Sequence, residues 1–153
     1  MEGYEVSNEA IKLKEVATYL AAELAGLPTG LIVCTSMERN FLNDYGKVYP
    51  AVWVRASRWT PNDDGSGYSG ITRQHGTYTV SLTAVIQRYN TGNYDHEPAL
   101  TSLHDRVAAA MIGWQPTKAR TPFVLGPWLD GPEAESVGSR DMIFTCSTTY
   151  TGP

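Results

Sequence analysis

Hydrophobic and polar positions alternate most regularly between residues 77 and 88. The even positions there include Tyr78, Val80, Leu82, Ala84 and Ile86, and the odd ones Thr77, Thr79, Ser81, Thr83 and Val85. Successive side chains of an extended chain point to opposite faces, so a period of two over this length predicts a strand with one buried and one polar face. Residues 140–151 repeat the scheme, with Met142, Phe144, Cys146 and Tyr150 alternating with Ile143, Thr145, Ser147 and Thr149. Shorter strands are predicted at 31–35, at 48–57 and at Phe123-Val124-Leu125. In the second of these, Val48, Val52, Val54 and Ala56 share one face, opposite Tyr49, Trp53 and Arg55. Pro50 lacks an N–H for the ladder, which predicts an edge position or a bulge at the start of that strand.

A different period marks two helices. Leu13, Val16, Ala17, Leu20, Ala21 and Leu24 recur at steps of three and four, predicting a helix over about 8–25. Ser7 or Asn8 suits its start, and Gly26 with Pro28 suits its end. Ile11 and Tyr19 fall off the stripe, which suggests a second contact surface. After the turn 90–93, Pro98 fits a first helical turn. Leu100, Leu103, Val107, Ala110 and Met111 then form a stripe that Gly113 closes. The predicted fold is α+β: a mainly antiparallel sheet of about five strands with two helices packed on one face. Its 153 residues fit one domain over residues 1–153.

Two stretches, about 57–76 and 129–139, are left as long connections, a length that is usually functional. The first carries Arg58, Trp59, Tyr68 and Arg73. Aromatic residues and arginine are the types enriched at interface anchors, so these four are candidate partner-contact residues.

Charge narrows the functional classes. Twelve basic against sixteen acidic residues give a net charge of −4, which argues against a general electrostatic affinity for DNA. No stretch reaches the roughly 18 uninterrupted apolar residues of a membrane helix. The acidic start, Met1-Glu2-Gly3-Tyr4-Glu5, has no apolar signal core, so export by that route is not expected. Cys34 and Cys146 lie far apart among apolar or β-prone neighbours and read as reduced core thiols.

Candidate chemistry is sparse. There is no Gly-x-Ser-x-Gly elbow, and Ser69 lies in a loop without a strand-to-helix context. His104-Asp105 lacks the further ligands of a metal hydrolase, and His104 borders the apolar stripe of its helix, a packing position. Asp95, His96 and Glu97 precede Pro98 and suit a helix N-terminus rather than a metal. Asp63-Asp64-Gly65-Ser66-Gly67 starts like a calcium loop, but the position where a bidentate Glu belongs is Gln74. No phosphate-binding glycine loop is present. Trp53, Trp59, Trp114 and Trp128 are scattered with few interleaved cations, favouring packing over base stacking. The expectation is a protein without enzymatic activity, metal or cofactor. A small hydrolase with an unrecognised site is the competing class.

Leu103-His104-Asp105-Arg106-Val107, followed by Met111-Ile112-Gly113-Trp114-Gln115-Pro116, carries a resemblance. A strand over residues 78–89, Asn93-Tyr94-Asp95, this helix with its Gly-Trp-x-Pro step, a short strand and a final strand such as Asp141-Met142-Ile143-Phe144-Thr145-Cys146 resemble the tail terminator family of long-tailed bacteriophages. The likeness covers residues 76–151 and, in element order alone, the part before it. It implies a virion protein of the tail–neck region, assembled in the bacterial host cytoplasm. It further implies a homo-oligomeric ring, commonly a hexamer, that caps the tail tube, ends its polymerisation and meets the head–neck connector. DNA would pass through the lumen. A different neck or tail-tube protein is the alternative within the same particle.

Overall fold

A computed structural model describes residues 11–25, 32–35, 50–62, 73–87, 97–131 and 137–151. Its elements run α1 (Leu13–Glu23), β1 (Ile32–Thr35), β2 (Ala51–Pro61), β3 (Arg73–Gln87), α2 (Glu97–Met111), β4 (Val124–Asp130) and β5 (Val137–Thr151). The five strands form one sheet in the order β1-β2-β3-β5-β4. β1 is parallel to β2, and the other three pairings are antiparallel. The α+β class, the mainly antiparallel sheet and the two helices on one face agree with the sequence reading.

The sheet is built around β3 and β5, which pair without interruption from Arg73↔Thr151 to Gln87↔Val137. Fifteen residues at about 3.3 Å each make this ladder roughly 50 Å long. Its alternation is the one predicted. Tyr78, Val80, Leu82, Ala84 and Ile86 of β3, with Met142, Phe144 and Cys146 of β5, are all buried. Helix α1 lays Val16, Ala17 and Leu20 on this face, and α2 adds Leu100, Leu103, Val107 and Met111, so all of them share one core. Removing this apolar area from water is the main force that holds the layers together.

Helix α1 is shorter than its apolar stripe predicts. It begins at Leu13, after an extended Lys12 that makes no side-chain cap, and Ile11 turns into the core instead of starting a turn. The expected caps at Ser7, Asn8, Gly26 and Pro28 lie outside the described residues. Tyr19, off the stripe, stacks on Trp114 at 3.8 Å and donates its hydroxyl to the Ala110 carbonyl at 2.6 Å. The expected second contact surface is therefore an internal one, joining α1 to the end of α2. Gly113 follows α2 with φ +89°, the left-handed conformation that closes a helix and that glycine adopts without a Cβ clash.

Three predicted boundaries change. β2 is flanked by β1 and β3, so it is not an edge, and Pro50 lies just before it. β2 extends to Pro61 and β3 starts at Arg73, which shortens the expected 57–76 loop to 62–72. β4 runs through Gly126-Pro127 to Asp130 rather than stopping at Leu125. Both extended strands carry a one-residue slip, β2 between Val54 and Ala56 and β4 between Leu125 and Trp128. A bulge inserts one unpaired residue and so exchanges the two faces beyond it. Ala56, expected beside Val54, consequently lies opposite Ser81, while Trp59 lies opposite Tyr78.

Candidate functional site

The strand ends beyond Tyr78, namely 57–61, 73–77 and 147–151, form an arm of the sheet. Its helix-side positions are Trp59 and Pro61 on β2, Gln74 and Gly76 on β3, and Thr148 and Tyr150 on β5. Cover here comes from Trp59 itself. Its indole Nε1 donates to Thr148 Oγ1 at 2.9 Å, and its ring meets Tyr150 edge-on at 4.9 Å. A Cβ at Gly76 would overlap this indole, so glycine makes the seat.

The opposite face of the arm is basic. Arg58 lies opposite Thr79, while Arg73 and His75 stand two residues apart on β3. Arg120, from the stretch leading to β4, brings its Nη1 to 2.7 Å from His75 Nδ1, which lies 2.8 Å from Thr149 Oγ1. A guanidinium only donates, so Nδ1 accepts. This acceptor orients Arg120 without cancelling its charge. Among the described residues no carboxylate pairs with Arg58, Arg73 or Arg120, and all three are exposed.

The far edge of the sheet is apolar. The large hydrophobic side chains left exposed among the described residues are Leu129 (71%), Val124 (56%), Ile112 (50%) and Trp128 (48%). Three of them belong to edge strand β4, and Ile112 follows α2, where the next residue's N–H bonds the Phe123 carbonyl just before β4. Behind the edge, Arg140 is buried to 3% exposure. It lies 4.1 Å from the Trp128 ring centroid, and its Nε donates to Asp130 Oδ1 at 2.6 Å. His104 of α2 meets the same indole edge-on at 5.3 Å, with its Nδ1 buried and without a hydrogen-bond partner. Burial holds the His104 imidazole below its ordinary range and Arg140 adds to this, while Asp105 and Asp130 oppose it. His104 is thus the packing residue its sequence position suggested.

Between arm and edge, the sheet's second face is a trough of about 720 Å³. Trp53 and Leu129 wall it; Arg55, Thr83 and Asp141 line it. Thr83 donates to Asp141 Oδ1 at 2.6 Å, and Arg55 lies 3.7 Å from the same oxygen. These contacts satisfy the charges and present no nucleophile with an adjacent base. Among the described residues no cluster of three or more His, Cys, Asp or Glu could hold a metal ion. Burial pushes the Cys146 thiol up to about 12, so at neutral pH it is protonated and unreactive. The side chain of Cys34 lies outside the described residues, as do Ser69 and the Asp63–Gly67 motif. No helix is long and apolar enough to cross a membrane, among the described residues.

Of the four candidate contact residues, Arg58 and Trp59 are on β2 and Arg73 on β3, not in a loop. Tyr68 lies outside the described residues. The bulge sends Trp59 to the helix side, whereas Arg58 and Arg73 stay on the other face. Arg120, His75, Val124 and Leu129 complete the two surfaces and escaped the sequence reading. A phase slip was the available signal: the valines of β2 are even-numbered and its second tryptophan is odd.

The fold and these surfaces define a structural α+β domain, with exposed interaction faces where an enzyme would carry a cleft. The family described as phage tail terminator protein matches residues 7–141, and the chain belongs to that family. It is accordingly a structural component of a bacteriophage tail. No curated protein matches the chain.

Proposed function

We propose that this protein closes the tail tube as a ring of identical copies, with six as the expected number. The ring ends tube polymerisation and offers the surface on which the head–neck connector docks, while DNA passes through its centre. The observation that carries this reading is the presence of two unlike, unfinished surfaces on one small domain, the arginine-bearing arm and the apolar β4 edge. Unlike surfaces favour head-to-tail contacts, which give a ring when the rotation closes and a filament when it does not. A net −4 per copy, about −24 over six, suits a passage that does not retain phosphates.

Light scattering and negative-stain microscopy of the purified protein, alone and mixed with tail tubes, test the reading. Closed rings of one size are expected. Open filaments would instead identify a tube protein. A virus lacking this protein should make tails of uncontrolled length, or tails that fail to join filled heads. Normal tails attached to heads would overturn the assignment.

A further inference from the structure

We propose that the subunit contact is made by the β4 edge of one copy seated against the arm of the next, an inference that rests on the ring reading above. The edge side of this contact is Val124, Trp128 and Leu129, flanked by Ile112. Natural sheets protect an open edge with lysine, a cover or a very short strand. β4 has seven residues, no lysine, and three of the exposed large hydrophobics. At the other edge, β1 has only four residues. The β4 edge is therefore the one that needs a partner.

The partner is a different surface of a second copy. A symmetric pairing of β4 with β4 would set Pro127, which has no N–H, near the centre of the new ladder, and the slip between Leu125 and Trp128 would break the run again. The arm offers what the edge lacks: the Trp59–Tyr150 pair on one side and the Arg58, Arg73 and Arg120 cations on the other. The net −4 of the chain includes these three cations, so the rest of the chain carries −7. Another copy is thus, over most of its surface, the acidic body that such an arm attracts. Edge and arm lie at different places on one sheet, so the contact is heterologous and able to propagate around a ring.

The test places benzoylphenylalanine at position 129 of the full chain and maps the photo-cross-linked peptides by mass spectrometry. Leu129 is largely exposed, so the replacement leaves the fold intact. Cross-links from position 129 to 57–61, 73–77 or 147–151 of another copy are expected. In parallel, Leu129→Glu and the double variant Arg58→Glu/Arg73→Glu should each raise the half-assembly concentration at least about tenfold. Their melting temperatures should stay within a few degrees of the parent. Cross-links from position 129 back to β4, or rings that persist in Leu129→Glu, would overturn the edge assignment and leave the ring reading standing. Arginine variants that assemble normally but lose retention of a duplex DNA probe would overturn the arm assignment in favour of a nucleic-acid site. A parent protein that stays monomeric, alone and with tubes, would overturn the ring reading itself.

Discussion

Trp59 and Trp128 each lie a few residues beyond a one-residue slip in their strand, and each is turned by that slip to the helix side of the sheet. Their surroundings then differ. Trp59 is held by its own strands: it bonds Thr148, meets Tyr150 and occupies the space that the missing Gly76 side chain leaves. Trp128 bridges layers, with His104 of α2 at its edge and the buried Arg140 at its ring, yet keeps 48% of its surface exposed. One bulge finishes an end of the molecule internally. The other leaves indole, leucine and valine facing outward beside a neutralised ion pair. The same backbone device thus serves packing where the neighbour is glycine, and builds an outward surface where the neighbours are a cation and an open edge.

Four substitutions set the scale of this difference. Leu103→Ala, in the core that both tryptophans border, should cost about 2–5 kcal/mol in urea unfolding. An unchanged unfolding midpoint would break the packing of α2 on β3. Trp59→Ala should cost roughly 2 kcal/mol, less than a fully buried indole because its site is half open. Trp128→Ala should cost the monomer less, about 1 kcal/mol, and the assembled particle more. The reverse order would erase the contrast between a packing indole and an interface indole. Asp130→Asn removes the partner of a buried guanidinium, but Asp130 is half exposed and water takes over part of its role, so the loss should be about 1 kcal/mol.

The smallest effect concerns pH. The His104 imidazole binds its proton less readily in the folded state than at the ordinary value of 6.5. The unfolded chain therefore takes up the proton first as pH falls, so stability is full above about 6.5 and declines below it. Replacing His104 with Phe should flatten this decline between pH 7.5 and 5. An equal slope in both proteins would show that His104 does not set it.

Much of the architecture was legible because β3 and β5 are regular. Their alternation from Tyr78 to Ile86 and from Met142 to Cys146 continues without a slip, so a period of two read from the sequence is the period in the fold. The helix stripes around Leu20 and Leu103 were equally direct. What escaped lies where geometry departs from its period. The bulge after Val54 inverted the predicted placement of Ala56, and the one near Pro127 let a strand pass through a proline that marks a turn in sequence. Arg58, Trp59 and Arg73 were singled out by residue type as contact residues, but the loop assigned to them is largely strand. Arg120 could not be found from its own neighbourhood. It joins His75 only because the chain before β4 crosses β5, a contact between residues 45 positions apart.

The β3–β5 ladder also governs the order of events as the chain acquires its structure. Its paired residues are separated by 50 positions at Gln87↔Val137 and by 78 at Arg73↔Thr151. Contacts this distant in sequence require the loss of chain entropy before they return any stabilisation, and folding slows accordingly. During synthesis β2 and β3 emerge well before β5, so the inner edge of β3 waits unpaired until the later strand is made. Through that interval the chain exposes fifteen residues of alternating Tyr, Val, Leu and Thr to any similar strand nearby. Slow refolding in one dominant phase, with losses that rise with protein concentration, is the kinetic signature of a sheet whose central strand arrives late.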